Sequence, residues 1–221
     1  MKRALVIGAS GGVGDAICKA FATQGWKVTG LSRSGDGLDV TNEDSVSEHM
    51  RALEGSFQRI VIATGALEID GHRPEKALKQ MTAEGLAAQF ALNTIGPALV
   101  IKHAVRLLPR DEVAVLAALS ARVGSIGDNR AGGWYSYRAS KAALNQIIRG
   151  AAIELARSHR QSVCVALHPG TVATAFTEKY LGRHPAVPPH EAAANLTRVM
   201  EDLRATDTGQ FFDWAGKTVP W

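Results

Sequence analysis

Short apolar runs alternate with longer stretches of helical periodicity along the whole chain. Each apolar run is short, apolar on both faces and followed by a turn or a helical stretch, which is typical of a buried strand. The predicted strands span residues 3–7, 26–31, 59–63, 112–119, 162–167 and 210–214. Strands of this kind belong to a parallel sheet that helices cover on both sides. The order of elements therefore predicts an α/β fold with a doubly wound parallel sheet, whose ligands bind at the carboxyl ends of the strands.

The stretches between these runs predict helices at residues 13–24, 43–53, 82–108, 132–158 and 189–203. Pro97 lies inside the third and is expected to kink it, because proline removes a backbone donor. There is no internal repeat, low-complexity tract or linker, so residues 1–221 are interpreted as one domain. The segment 174–189 is rich in proline and has little periodicity, and we predict that it forms a mobile substrate lid.

Composition and charge exclude several classes of protein. The chain has 221 residues, is 46% hydrophobic and carries a formal charge of +4. Its lysines and arginines are scattered, so nucleic acid is not an expected partner. Cys18 and Cys164 lie in apolar segments without metal-ligand spacing, which indicates reduced core residues and no metal site. The apolar stretch near the N-terminus is too short for a signal peptide and none is long enough for a membrane span, so we expect a soluble, cytoplasmic protein.

Gly8, Gly12 and Gly14 stand between the first predicted strand and the first predicted helix. In that position glycines allow a tight turn and a close approach of the backbone to a pyrophosphate at the helix N-terminus. The alternative is that these glycines serve packing only. The spacing differs from the Gly-x-Gly-x-x-Gly of long-chain dehydrogenases, and the absence of a following Gly-Lys-Ser/Thr argues against a nucleotide triphosphatase.

The end of the second strand bears on the choice of cofactor. An acid at that place binds the ribose hydroxyls of NAD, but here the chain has Ser32 followed by Arg33. A guanidinium can pair with a 2′-phosphate, so the sequence predicts NADP(H) in preference to NAD(H). The alternative is that Arg33 is a solvated loop residue. Asp39 and Val40 are weaker candidates for contact with the adenine edge.

Tyr137 and Lys141 are spaced to lie side by side on one helix. A free tyrosine titrates near 10, and a nearby ammonium favours the phenolate, so the pair is expected to lower the pKa of Tyr137. A phenol tuned in this way suits general acid–base catalysis. The motif is weak in isolation and gains weight from the glycine turn upstream.

Two further polar residues are candidates for the same site. Ser120 follows the predicted strand 112–119, where it would stabilise charge on a substrate oxygen, with Ser125 as a competitor. Asn93 lies in the middle of a predicted helix, where asparagine is a middling helix former. A catalytic role for Asn93 and a structural one that satisfies buried backbone are left open.

Together these residues resemble the short-chain dehydrogenase/reductase superfamily over essentially the whole chain. The glycine turn, Asn93, Ser120, the Tyr137–Lys141 pair and the segment 168–174 follow the order of that family. The segments 120–130 and 209–221 resemble a bacterial subgroup related to the C-factor signalling protein.

The resemblance implies a Rossmann-type sheet of about seven strands, the seventh near the C-terminus. It implies a catalytic tetrad of Asn93, Ser120, Tyr137 and Lys141, in which Tyr137 transfers the proton and Lys141 also holds the nicotinamide ribose. The cofactor-binding set is then Gly8, Ser10, Gly12, Val13, Gly14, Ser32, Arg33, Asp39, Val40, Ala63, Gly65, Tyr137, Lys141, Pro169, Gly170, Val172 and Thr174. Family members often pair through two long helices, so a homodimer or homotetramer is expected.

The leading hypothesis is an NADPH-dependent oxidoreductase that acts on a small carbonyl or alcohol substrate, with Tyr137 as general acid–base. The alternative is a dinucleotide-binding signalling protein of C-factor type with little turnover. An epimerase or dehydratase of the extended relatives is disfavoured, because the chain is short for their added substrate domain. Ile126, Trp134 and the segment 174–189 are expected to line the substrate pocket.

Overall fold

Six parallel strands form one sheet in the computed structural model, which describes residues 1–175, 177–181 and 185–221. The strands are β1 (Arg3–Ile7), β2 (Lys27–Leu31), β3 (Arg59–Ile62), β4 (Ala114–Leu119), β5 (Ser162–His168) and β6 (Phe211–Asp213). Their order across the sheet is β2-β1-β3-β4-β5-β6. Successive strands leave β1 in opposite directions, which creates a topological switch point between β1 and β3.

Helices cover both faces of this sheet. They are α1 (Gly12–Thr23), α2 (Arg33–Asp36), α3 (Glu43–Arg51), α4 (Ala83–Phe90), α5 (Gly96–Ala104), α6 (Tyr135–Ser158) and α7 (Pro189–Asp202). On one face α3, α5 and α6 pack a buried cluster against the strands, and on the other face α1 and α7 do the same. Every residue of β3 and β4 is buried, as expected for strands between two helical layers. The predicted doubly wound α/β fold is confirmed.

The implied seventh strand is not formed in the part of the chain that the structure describes. After β6 the chain turns at Gly216 and folds back, and Phe212 and Thr218 form a single antiparallel bridge. Val219 N donates to Phe211 O at 2.8 Å, so the tail is tied to β6 without continuing the sheet.

The long helix predicted over residues 82–108 is interrupted. A π-helical turn, Ala91–Ile95, separates α4 from α5, and Pro97 follows it within the first turn of α5. The backbone stays helical from α4 into α5, and the π-helical turn changes the hydrogen-bond pattern just before Pro97, which has no N–H to donate. The π-helical turn contains Asn93 and is a feature often found at functional sites.

Helix α6 begins three residues later than the sequence predicts. Gly132, Gly133 and Trp134 all have left-handed backbone conformations, with φ values of 63°, 65° and 52°. A left-handed residue ends helical propagation, so the helix begins only at Tyr135. The short helix α2 was also missed, because its four residues lie within a polar loop.

No helix in the described ranges is long and apolar enough to cross a bilayer.

Candidate active site

A cavity of about 940 Å³ opens at the carboxyl ends of the strands. Its walls come from the turn after β1, the loops after β3, β4 and β5, the start of α6 and the aromatic ring of Tyr180. This is the edge of the sheet at which the strand order predicts a ligand.

The glycine turn after β1 forms one end of the cavity. Gly8 has a φ of 88°, and a Cβ on it would lie 2.9 Å from the carbonyl of Ala63. A Cβ on Gly14 would lie 2.1 Å from Gly8 O, so any side chain there would push α1 off the turn. Ser10, Gly12 and Val13 line the cavity.

The N-terminus of α1 is open towards this cavity. Gly11 occupies the cap position and supplies no side-chain acceptor to the first backbone N–H groups. A Cβ on Gly12 would lie 2.7 Å from the Cγ2 atom of Thr174, so backbone alone faces the lid segment here. Unpaired N–H donors and the helix dipole together favour an anion.

Tyr137 and Lys141 lie one turn apart on α6, and both are buried in the cavity wall. Lys141 Nζ lies 5.9 Å from the centroid of the Tyr137 ring and donates to Leu119 O at 3.0 Å. The predicted adjacency is therefore present.

Burial shifts the pKa values of both Tyr137 and Lys141. It raises the pKa of Tyr137, the direction opposite to the one expected from the ammonium, because the phenolate loses solvation. It also lowers the pKa of Lys141 to about 8, so the charge that was expected to favour the phenolate is itself destabilised.

Ser120 lies at the end of β4 and faces the same cavity. Its backbone N–H donates to Leu167 O at 2.8 Å, which fixes it to the neighbouring strand β5. Ser125, the competing candidate, is buried outside the cavity wall, where its hydroxyl accepts from Asp128 N at 3.1 Å. The geometry thus favours Ser120 over Ser125 as the group that meets a substrate.

Asn145 is a partner of Ser120 that sequence reasoning missed. Ser120 Oγ donates to Asn145 Oδ1 at 2.6 Å, and both side chains are buried. Asn145 follows Lys141 by four residues and so shares its helix face, a signal that the sequence contains.

Asn93 lies behind the cavity wall and not in it. Its Nδ2 donates to Ala66 O at 2.9 Å, and its Oδ1 accepts from Ala66 N at 3.1 Å. Gln89 adds a bond from Nε2 to Leu67 O at 2.9 Å. These two amides fix the loop after β3, in which a Cβ on Gly65 would lie 3.4 Å from Lys141 Nζ. The structural role of Asn93 is therefore evident.

The segment after β5 supplies the opposite wall. Pro169, Gly170, Val172 and Thr174 line the cavity as expected for a cofactor site, together with Ala63 and Gly65 across it.

His168 also lines the cavity, a position for which no role is predicted from the sequence. Its Nδ1 is buried without a partner among the described residues. Burial lowers the pKa of His168 to about 4, so it is neutral at physiological pH.

The residues predicted to bind the adenosine half lie outside the cavity walls. Ser32 is the cap of α2, accepting from Gly35 N at 3.0 Å, while Arg33 is exposed beside it. Asp39 accepts from the backbone and hydroxyl of Thr41, and these bonds lower its pKa. Val40 is buried and packs closely against Gly96, where a Cβ would lie 2.9 Å from Val40 Cγ2. The glycine turn nevertheless lies next to Ser32, because Gly8 N donates to Leu31 O at 2.8 Å.

The lid segment is attached to the body through Glu68. Tyr180 Oη donates to Glu68 Oε1 at 2.5 Å, and Lys179 Nζ lies 3.1 Å from Oε2 of the same carboxylate. Tyr180 also packs edge-on against Trp134, with 5.7 Å between ring centroids. Residues 176 and 182–184 of the predicted lid lie outside the described residues.

One predicted pocket residue is wrong. Ile126 is 78% exposed and does not line the cavity. Trp134 lines the cavity as predicted. No cluster of three metal-ligating side chains is found within the described ranges.

The family model described as enoyl-(acyl carrier protein) reductase matches residues 8–209. The chain is 30% identical to the 1-hydroxy-2-glutathionyl-2-methyl-3-butene dehydrogenase of Rhodococcus sp. (strain AD45), over the full length of both proteins. It is 33% identical to the C-signal protein of Myxococcus xanthus, over 66% of this chain and 84% of that one.

A solved structure of a short-chain dehydrogenase/reductase from Burkholderia multivorans with bound NADP superposes with a TM-score of 0.84. It is 25% identical and covers 100% of this chain and 99% of its own. The chain therefore belongs to the short-chain dehydrogenase/reductase superfamily, whose members are oxidoreductases of alcohol and carbonyl groups. The C-factor-like resemblance is also confirmed.

Proposed function

We propose that this protein transfers a hydride between NADP(H) and a small carbonyl or alcohol substrate. The observation that carries the proposal is that Ser120, Tyr137 and Lys141 face one cavity, at the edge of the sheet where the glycine turn also lies. A proton donor, a cation and a second hydroxyl around one space form a site for a substrate oxygen.

The cavity fits a dinucleotide at its glycine end. The uncapped N-terminus of α1 would hold a pyrophosphate. Val172 and Thr174, in the segment after β5, line the same cavity and would hold the nicotinamide end. A bound nicotinamide supplies or accepts the hydride.

Tyr137 is the group we assign to proton transfer. Its raised pKa keeps the phenol protonated at neutral pH, so it would donate to the oxygen of a carbonyl substrate. In the reverse direction it would take the proton of an alcohol. Lys141, oriented by Leu119 O, would bind the ribose and stabilise the phenolate when it forms. Asn93 would act by holding the loop against which Lys141 lies.

Tyr137→Phe tests the assignment. The substitution removes the transferable proton and little volume, so kcat is expected to fall roughly 10²- to 10⁴-fold on any substrate that the wild type uses. Tyr135→Phe, two residues away on the same helix, is the matched control and should retain activity. Undiminished turnover by Tyr137→Phe would refute the role.

The preference for NADP(H) rests on Arg33 and on the NADP-bound relative from Burkholderia. Arg33 is exposed beside Ser32, at the end of β2 where a 2′-phosphate would lie. No carboxylate pairs with Arg33 among the described residues, so its guanidinium is available to an anion.

A second candidate is a signalling protein that binds the dinucleotide without significant turnover. The similarity to the C-signal protein favours it. Tight cofactor binding without cofactor oxidation or reduction across a broad panel of aldehydes, ketones and alcohols would support this alternative.

We expect the protein to act in the cytoplasm. Both cysteines are free, and Cys164 is buried, which suits a reducing compartment. Fractionation of the source cells with an antibody against this chain would test the location.

A further inference from the structure

His49, in the last turn of α3, makes two hydrogen bonds that each require a proton from the imidazole ring. Its Nδ1 lies 2.8 Å from Ser45 O on the same helix, and its Nε2 lies 3.0 Å from Asp36 O, at the end of α2. Both partners are backbone carbonyl oxygens, which have lone pairs and no proton to offer. A neutral imidazole carries a proton on only one nitrogen, so the two bonds form together only when the ring is an imidazolium.

The surroundings of His49 favour this charged form. The carbonyls of Asp36 and Ser45 raise its pKa above the ordinary value, because both accept from the protonated ring. The carboxylates of Glu48 on α3 and Asp36 on α2 add to the rise, and partial burial opposes it. His49 therefore keeps its charge to a higher pH than a free histidine does.

Other charged side chains also bind to α3. Lys102 and His103, on α5, pair with Glu43 in the first turn of α3, and Arg106 donates to backbone carbonyls at the C-terminal end. Each of these cations has its own partner. His103 is thus a second histidine bound to α3, at the opposite end of the helix from His49.

The bond to Asp36 O holds the turn that carries Arg33. Within this turn Ser32 N donates to the Asp36 carboxylate at 2.8 Å, and Gly35 N donates to Ser32 Oγ at 3.0 Å. Gly37 N donates to Arg33 O at 3.1 Å. These bonds join the turn into one unit, so a tether at Asp36 O restrains Arg33 as well.

We propose that His49 is a positioning residue for the cofactor, whose imidazolium ties α3 to the Arg33 turn and so strengthens binding of the 2′-phosphate of NADP(H). The inference rests on the proposed function, because Arg33 is the group assigned to that phosphate. Below the pKa of His49 both bonds are present and the turn is held. As the pH rises through that pKa the ring can no longer satisfy both carbonyls, the tether weakens, and Arg33 gains freedom that binding must remove.

Calorimetric titration with NADP⁺ and NAD⁺ between about pH 6 and pH 9 tests the role, in wild type and in His49→Leu. At the acid end the variant is expected to bind NADP⁺ about three- to tenfold more weakly than wild type. At the alkaline end the two proteins should converge, since the wild type has lost the proton there. NAD⁺, which has no 2′-phosphate, should bind both equally. The ionisation of the phosphate belongs to the ligand and cancels in the comparison.

Two controls separate positioning from other effects. If His49 acts through Arg33, His49→Leu changes nothing further in an Arg33→Ala background, whereas direct attraction of the phosphate by the imidazolium would persist there. His103→Leu removes the other histidine bound to α3 and should behave as wild type. His49→Gln, which also has no titrating group, serves if the leucine variant does not fold.

The outcomes distinguish this inference from the proposed function. If Arg33→Ala weakens NADP⁺ binding selectively while His49→Leu matches wild type at every pH, the role of His49 is overturned and the proposed function stands. An effect that persists in the Arg33→Ala background, or that is equal for NAD⁺, also overturns it. If the wild type binds neither cofactor, the proposed function fails and this inference fails with it.

Discussion

At the scale of a single residue, Lys141 shows how burial destabilises the charged form of a side chain. It is 3% exposed and no carboxylate pairs with it in the part of the chain that the structure describes. One carbonyl bond compensates incompletely for lost hydration, and its pKa falls from 10.5 to about 8. A lysine held near its titration point is suited to a site where the charge of a neighbouring phenol changes.

The lowered pKa predicts a pH-dependent stability. Between pH 8 and 10.5 Lys141 is protonated in the unfolded chain and largely deprotonated in the folded one. The contribution of Lys141 to the free energy of unfolding therefore increases as the pH rises through this range. Below pH 8 the cost of burying the charge is present in full. Lys141→Met removes that cost, so its stability advantage over wild type should shrink by on the order of 3 kcal/mol between pH 7 and pH 10.5.

Urea unfolding of both proteins across that range measures the difference. Lys19→Met, at an exposed position on α1, is the control and should show no such trend. A constant difference between Lys141→Met and wild type would contradict the prediction.

Arg33 supplies a second prediction at this scale. Arg33→Ala should weaken NADPH binding about ten- to a hundredfold and leave NADH binding nearly unchanged, because a charge-assisted contact to the 2′-phosphate is lost. Fluorescence titration of both cofactors measures it, with Arg51→Ala, exposed on α3, as control. Equal weakening of the two cofactors would rule out the contact.

The start of α6 is the element on which the site depends. Glu75, buried and far away in the chain, binds its first turn: Ser136 donates to the Glu75 carboxylate through both its backbone N–H, at 3.2 Å, and its hydroxyl. Trp134 N donates to Glu75 O at 2.5 Å. These bonds stabilise the left-handed entry to the helix, and Tyr137 follows one residue after Ser136.

Glu75→Ala should therefore affect both stability and activity. Loss of the cap is expected to lower the free energy of unfolding by about 1–2 kcal/mol. The freed helix start should also reduce kcat, because Tyr137 is no longer held in place. Chemical unfolding and turnover measure the two effects. Glu84→Ala, an exposed acid in the first turn of α4, is the matched control, and similar losses in both variants would exclude a special role for Glu75.

At the scale of the whole molecule, two apolar clusters enclose the sheet and leave the cavity at the switch point between β1 and β3. Large apolar side chains nevertheless remain at the surface. Ile95, at the end of the π-helical turn, and Ile153, on α6, are each about half exposed, at 49% and 50%. These two lie on the segments through which the family resemblance implies pairing.

We accordingly expect a homodimer or homotetramer in solution. Light scattering coupled to size-exclusion chromatography should give two or four times the monomer mass, and Ile153→Glu should reduce it by placing a charge in the contact. Ile126→Glu, in an exposed loop, is the control. A monomeric wild type at micromolar concentration would contradict the expectation.

The sequence by itself determined the features that depend on local pattern. Apolar runs fixed the strands, glycines fixed the turn after β1, and four-residue spacing placed Tyr137 beside Lys141. Each follows from backbone geometry that neighbouring residues dictate.

Only the tertiary structure decided which distant residues complete the site. Asn145 is 25 positions from Ser120, and Glu75 is 61 from Ser136. It also reversed the expected direction of the Tyr137 pKa, because desolvation depends on everything packed around the phenol. Such pairings and burial arise when the sheet brings loop ends together, and no local periodicity encodes them.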